Sequence, residues 1–330
     1  MSDFINHYLC GVEATSKVSE DIQQILTNHA TLFALGCQGP DLFLYHGHLP
    51  WKKNRGYSKF GEYIHSYETN VFFTALLSSF FTQVEDINKN LHFAYIMGYL
   101  CHHALDSITH PFIFYYSGLN GNLHKKYEVI LDVLHSQQCF NINPIHFDTK
   151  KITNIDTRSL KAIQDIHHHV FGQIWNQTFP LETSEVCWKD FSFLLPVFQD
   201  SSGIKSKLAL FADKLIGKPF ALSKAFIQSH TPLDAKEDYM NLQKKPWCHP
   251  CDNTVTFNLS YSELFQKGVE ASVTRIDSLG KILLSGTPPK DLHDTVSLVI
   301  ENASFETGTI HRYENHVNAI KMRYFEPKSF

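Results

Sequence analysis

The sequence predicts an all-α protein built as a multi-helix bundle. Apolar residues recur with helical period over most of the chain, and the two-residue alternation of strands is rare. Of the 330 residues, 43% are hydrophobic and 19% are charged, which suits a packed core and argues against disorder. Histidines and carboxylates also fall four apart inside apolar segments, a spacing that a helix gathers into one stripe.

Taken in order, the periodicity predicts helices over roughly 4–35, 59–86, 91–116, 122–137, 158–178, 204–230, 260–284 and 310–323. The second includes "VFFTALLSSFF" (71–81). That run and "FSFLLPVF" (191–198) are too short to span a bilayer and are read as core. A Gly/Asn turn, Ser117 to Asn122, joins the third helix to the fourth, with Asn122 as the expected N-cap. "TVTFNLS" (254–260) and "TVSLVIENASFE" (295–306) are the strand candidates. The chain is read as a single helical domain, 1–330. Residues 1–135 carry the chemistry, 136–159 form a polar loop and 160–330 supply scaffold helices.

Composition excludes some classes. Net charge is −4, with 29 basic and 33 acidic residues and no basic block, so no high-affinity nucleic-acid partner is expected. The N-terminal "MSDFINHYLCGVEATSKVSED" has no basic n-region and no apolar h-region. A cytoplasmic protein is therefore expected, with signal-less export left open. Seven cysteines at irregular spacing fit reduced thiols better than a disulfide framework.

The chemistry gathers at "CHHALDSITHP" (101–111). His102, Asp106 and His110 lie four apart on one helical stripe among Leu100, Leu105, Ile108 and Phe112. A charged Asp buried there costs several kcal/mol unless it is paired, and a divalent cation is one partner that resolves this. Zinc accepts both imidazole nitrogen and carboxylate oxygen. After the turn, His124 and Glu128 repeat the spacing. His110 and Glu128 each lie about 10 Å from the bend at 1.5 Å per residue, so an antiparallel pair brings them together. His7, Asp41 (after Gly39-Pro40) and His65 are the upstream candidates. His46 and His48 could reach the rim.

Other motifs are set aside. "WCHPC" (247–251) lacks the helix that a redox C-x-x-C needs at its first cysteine. In "IHHHV" (166–170), neighbouring histidines diverge by about 100° and read as a solvated face. His103 diverges from His102 in the same way.

The order His7, Asp41, His65, His102-x3-Asp106, His110, His124-x3-Glu128, with the upstream "GPD" and the later "KKPWCHP", resembles the bacterial zinc-dependent phospholipase C family. Its fold is shared with the three-zinc single-strand nucleases. The resemblance implies a helical bundle with a trinuclear cleft and two or three zincs per chain. His65, His102 and Asp106, with Asp41, would hold one zinc. His110, His124 and Glu128 would hold a second, and His7 and Asp106 a third, bridged by Asp106. Asp41 would be either a ligand or the catalytic base that orients water. Phe43, Tyr45, Tyr63 and Tyr67 could line a headgroup pocket, or be ordinary core aromatics. Two features depart from the secreted members, whose third metal also takes an N-terminal tryptophan and whose central helix has a longer gap before its second histidine. The expected substrate is a phospholipid or other phosphodiester, with room for peripheral membrane contact. The alternatives are a nuclease or nucleotidase on the same site, and a non-catalytic zinc-stabilised helical protein.

Overall fold

The computed structural model describes residues 4–48, 56–82, 88–175, 179–228 and 237–310. The segment expected as one helix over 4–35 is three: α1 (Phe4–Thr15), α2 (Glu20–Asn28) and α3 (Ala30–Gly36). The first break is built by Asp277, whose Oδ1 accepts from the Ser19 amide at 3.0 Å and hydroxyl at 2.9 Å. The second falls at His29, whose backbone leaves the helical region. A turn at Gln38–Pro40 leads into the single-turn α4 (Asp41–Leu44). The 59–86 segment divides at extended Tyr67 into α5 (Ser58–Ser66) and α6 (Thr69–Thr82).

Helix α7 (Lys89–Ser117) is the axis of the molecule, and nearly all of its side chains are buried. Helix α8 (Gly121–Phe140) returns beside it. Its N-cap is Asn120 rather than Asn122, because the Asn120 side chain accepts from the Asn122 and Leu123 amides at 3.0 and 3.3 Å. The polar stretch 136–159 is not wholly loop. It holds the end of α8, a 3-10 turn at Pro144–His146 and α9 (Lys150–Thr153), and it buries Ile145, Phe147 and Ile152 in the main core. Next come α10 (Thr157–Trp175) and α11 (Glu182–Phe198). The latter absorbs the apolar 191–198 run with Pro196 inside it.

Strand β1 (Gln199–Asp200) precedes α12 (Ile204–Ile216). The segment expected as a helix to 230 stops at left-handed Gly217, continues through a 3-10 turn at Ser223–Ala225 and pairs β2 (Ile227–Gln228) with β1 in parallel. Strands β3 (Trp247–His249) and β4 (Asp252–Phe257) form an antiparallel hairpin across "WCHPC", with no helix at Cys248. Helix α13 (Tyr261–Leu284) starts from a Ser260/Glu263 capping box and packs along α7. The second strand candidate, 295–306, is instead α14 (Leu292–Ile300), capped by Asp291, followed by a tail through residue 310. The expected helix 310–323 lies outside the described residues.

The main core runs from Phe4 to Phe305. A smaller apolar cluster around Phe112, Tyr127, Trp247 and Tyr261 backs the α7–α8 hairpin. The chain is all-α in class, and among the described residues no helix is long and apolar enough to cross a membrane.

Candidate metal centre

Asp106, fully buried on α7, has four imidazoles around it. The Nε2 atoms of His102 and His65 lie 3.0 and 3.8 Å from its Oδ2, and those of His7 and His110 lie 3.3 and 3.5 Å from its Oδ1. His65 Nε2 is also 3.5 Å from Asp41 Oδ1. His110 Nε2 lies 3.4 Å and His124 Nε2 2.9 Å from Glu128 Oε1. The donor atoms form three groups that could each hold a cation: His7, His102 and Asp106; Asp41, His65 and His102; His110, His124 and Glu128. Every metal-ligating candidate read from the sequence lies in these groups. His102 belongs with His7 as well as with Asp41, and its ring stacks on that of His7 at 4.2 Å.

Each donor is placed by local structure. Asp132 of α8 accepts from the Ile5 and Asn6 amides at 3.0 and 2.7 Å, which pins the start of α1 and hence His7. Asp41 follows Gly39, whose φ is +50° and where a Cβ would lie 2.5 Å from the His102 ring. Only glycine lets this turn lie flat on the imidazole. His102, Asp106 and His110 share the stripe of α7, and the α8 hairpin adds His124 and Glu128.

The far ring nitrogens of three of these imidazoles are also committed. Nδ1 of His102 donates to the Cys37 carbonyl at 3.1 Å, that of His65 to Gly61 at 2.8 Å and that of His110 to Phe305 at 2.9 Å. These bonds fix the tautomer and turn the Nε2 lone pair inward. The inward Nε2 atoms of His7, His65, His102 and His110 and both Asp106 oxygens are buried without a hydrogen-bond partner. Lone pairs facing carboxylate oxygens repel, and a cation between them removes the conflict. Burial brings His7 down to about 4, with His102 adding to the shift, and it lowers His124 to about 4. Burial opposes charge on Asp106, yet His110, His102 and His7 outweigh it and hold the carboxyl well below its usual range. Burial pushes Asp41 up, against the pull of His102 and His65. Nitrogen and carboxylate donors at such spacings suit zinc.

The C-terminal tail closes the centre, and sequence reasoning missed it. The Phe305 ring packs on His65 and His102 at 5.3 and 6.0 Å. Inside α7, Pro111 has no N–H for the Ser107 carbonyl. The tail crosses there at Gly308, with φ +64°, where a Cβ would lie 2.2 Å from that oxygen. His103 points away from the donors: its Nε2 donates to the Ala303 carbonyl at 2.7 Å and its Nδ1 accepts from Arg275 at 2.9 Å. These partners are distant in sequence and no spacing announces them.

A cleft of about 740 Å³ opens on the centre, lined in part by His65, His110, His124, Glu128, Phe114, Lys125 and Lys224. The four aromatics expected to form a headgroup pocket are not among its lining residues. Phe43 is buried between His167, Phe171 and Phe60 at 5.0, 5.7 and 6.0 Å. Tyr45 packs on Phe191 at 5.0 Å, and Tyr63 lies against Tyr67 and Trp175 at 4.8 and 4.1 Å. Phe43 and Tyr45 fill the core, whereas Tyr63 and Tyr67 are half-buried. His46 is engaged at 3.0 Å by Asp190, and His48 packs against Phe198. His167 is buried between Tyr95 and Ser184 at 3.0 and 2.8 Å, so the solvated face expected of the "HHH" run holds for exposed His168 and not for His167.

A family model described as zinc dependent phospholipase C matches residues 6–178, more than half of the chain and the whole stretch that carries the donors. No curated protein and no solved structure matches. With that match and this helical frame, the chain belongs to the zinc-dependent phospholipase C family.

Proposed function

We propose that the protein hydrolyses the phosphodiester of a phospholipid headgroup, with zinc held by His7, His65, His102, Asp106, His110, His124 and Glu128 and with Asp41 beside it as the base. The observation that carries this reading is the convergence of these donors, several with uncommitted inward nitrogens, beside an open cleft. A purely structural zinc site is closed, whereas a catalytic one keeps access for substrate.

When bound, zinc supplies Lewis acidity and lowers the pKa of water. The chain's own residues do the rest. Carbonyl-anchored His65, His102 and His110 keep the donor geometry fixed through the reaction, which avoids reorganisation at the transition state. The Asp41 carboxylate accepts a proton from the attacking water. The new O–P bond forms as the P–O bond to glycerol breaks, giving a phosphorylated headgroup and diacylglycerol. Lys125 and Lys224 line the cleft, alongside Glu62 and Glu306, and offer ammonium groups to the phosphate.

The test is zinc analysis together with a substrate panel. Protein purified with zinc should carry the metal and release diacylglycerol from phospholipid, and chelation should abolish turnover. The Asp106→Asn variant should lose most of its zinc and more than about 100-fold in activity. Full zinc content with normal turnover in that variant would rule out the centre. Hydrolysis of nucleotides in place of phospholipids would move the substrate to the nucleotidase class.

A further inference from the structure

We propose that α12 is a docking surface for an anionic phospholipid bilayer, an inference that rests on the phospholipid reading of the cleft. The helix is amphipathic in the inverted sense. Ile204, Leu208, Phe211 and Leu215 are 59, 65, 62 and 73% exposed. At 100° per residue they fall within a stripe about 60° wide. The opposite face is polar, and its buried residues are Ser206 and Asp213.

Hydrogen bonds hold this helix to the body. Asp200 Oδ2 accepts from the Ser206 amide at 2.8 Å and hydroxyl at 2.7 Å. Asp213 accepts from the Leu222 amide at 2.7 Å and from the Ser223 amide and hydroxyl at 3.1 and 2.6 Å. A chain that spends buried carboxylates on fixing a helix with its apolar stripe outward has an apolar surface to meet.

The charges around the stripe select the occupant. Lys207 and Lys214 are exposed and flank one edge of it, and Lys218 follows the helix end. The helix's one acidic residue, Asp213, is turned inward. An apolar stripe with a lysine border suits the acyl and headgroup zones of an anionic leaflet. A second copy of the chain would set lysine against lysine. The helix is also tied to the cleft wall. Asp213 grips the Ser223–Ala225 turn, and Lys224 within that turn lines the cleft and donates to Asn122 at 2.7 Å. A membrane under α12 therefore lies beside the opening through which a headgroup enters.

The experiment compares the full chain with a Leu208→Asp/Leu215→Asp variant and a Lys207→Glu/Lys214→Glu variant. Binding is read by co-sedimentation with phosphatidylglycerol/phosphatidylcholine vesicles. Turnover is read on the same vesicles and on monomeric short-chain phospholipid. The aspartate variant should lose about tenfold or more in vesicle binding and vesicle turnover, with turnover of the soluble substrate unchanged. The glutamate variant should lose about fivefold per lysine on anionic vesicles and little on neutral ones. Equal vesicle binding by wild type and the aspartate variant overturns the proposal. So does a wild type that does not sediment with vesicles, or a dimer that the aspartate variant abolishes. If wild type cleaves neither lipid form while the variant still loses vesicle binding, the docking surface stands and the substrate reading falls.

Discussion

Asp41 and Asp106 are carboxylates in one buried cluster, yet their surroundings differ. Asp106 meets four imidazoles within 3.8 Å and is held well below the usual carboxylate range against its burial, whereas Asp41 meets His65 at 3.5 Å and is pushed up by burial. Under the proposed reaction, that asymmetry suits Asp106 to sharing a cation and Asp41 to taking up a proton. Asp41→Asn is expected to keep its zinc and lower kcat by about 10²–10⁴ with little change in KM. Zinc loss in parallel with activity would make Asp41 a ligand and not the base. At this scale the donors were legible because H-x-x-x-D-x-x-x-H followed by H-x-x-x-E survives as a spacing. Ring orientation was not legible, because Cys37, Gly61 and Phe305 hold the imidazoles through backbone carbonyls, which any residue type could provide.

Between elements, the centre depends on α7, the α8 hairpin and the tail that crosses Pro111. Gly308→Ala introduces a Cβ at 2.2 Å from the Ser107 carbonyl in a left-handed backbone, so the tail must shift. Its Phe305 carbonyl then leaves His110. Zinc affinity is expected to fall about tenfold, measured by chelator competition. Unchanged affinity would show that the tail is dispensable to the centre. The long helices α7, α8 and α13 were legible from their period. The split of 4–35 was hidden because Asp277, far along the chain, makes the break at Ser19. Helix α14 read as a strand because its β-branched residues outweighed the Asp291 cap.

Across the described residues of the whole molecule, buried histidines include both inward-facing donors and core residues kept neutral by burial. Burial brings His92 down to about 4 and His167 down to about 3. Both values lie below the unfolded value near 6.5, so each group contributes its full stability above that pH. As pH falls the unfolded chain takes up protons that the folded chain refuses. The loss runs at about 1.4 kcal/mol per pH unit for each group until the folded values are reached. The melting temperature of metal-free protein should therefore drop steadily below pH ~6.5. A flat profile down to pH ~4.5 would contradict neutral burial. Burial on this scale was not legible, because "IHHHV" shows no sign that Tyr95 and Ser184 close over His167.

The tail also sets an order of events during synthesis. The donors from His7 to Glu128 leave the ribosome early, while Phe305, which orients His110 and covers His65 and His102, leaves late. A nascent chain thus carries the whole ligand set with carbonyl partners at hand for His65 and His102, while His110 gains its own only when the Phe305 segment folds back across α7. Orientation of His110 toward Glu128 is then coupled to folding of a segment 195 residues downstream.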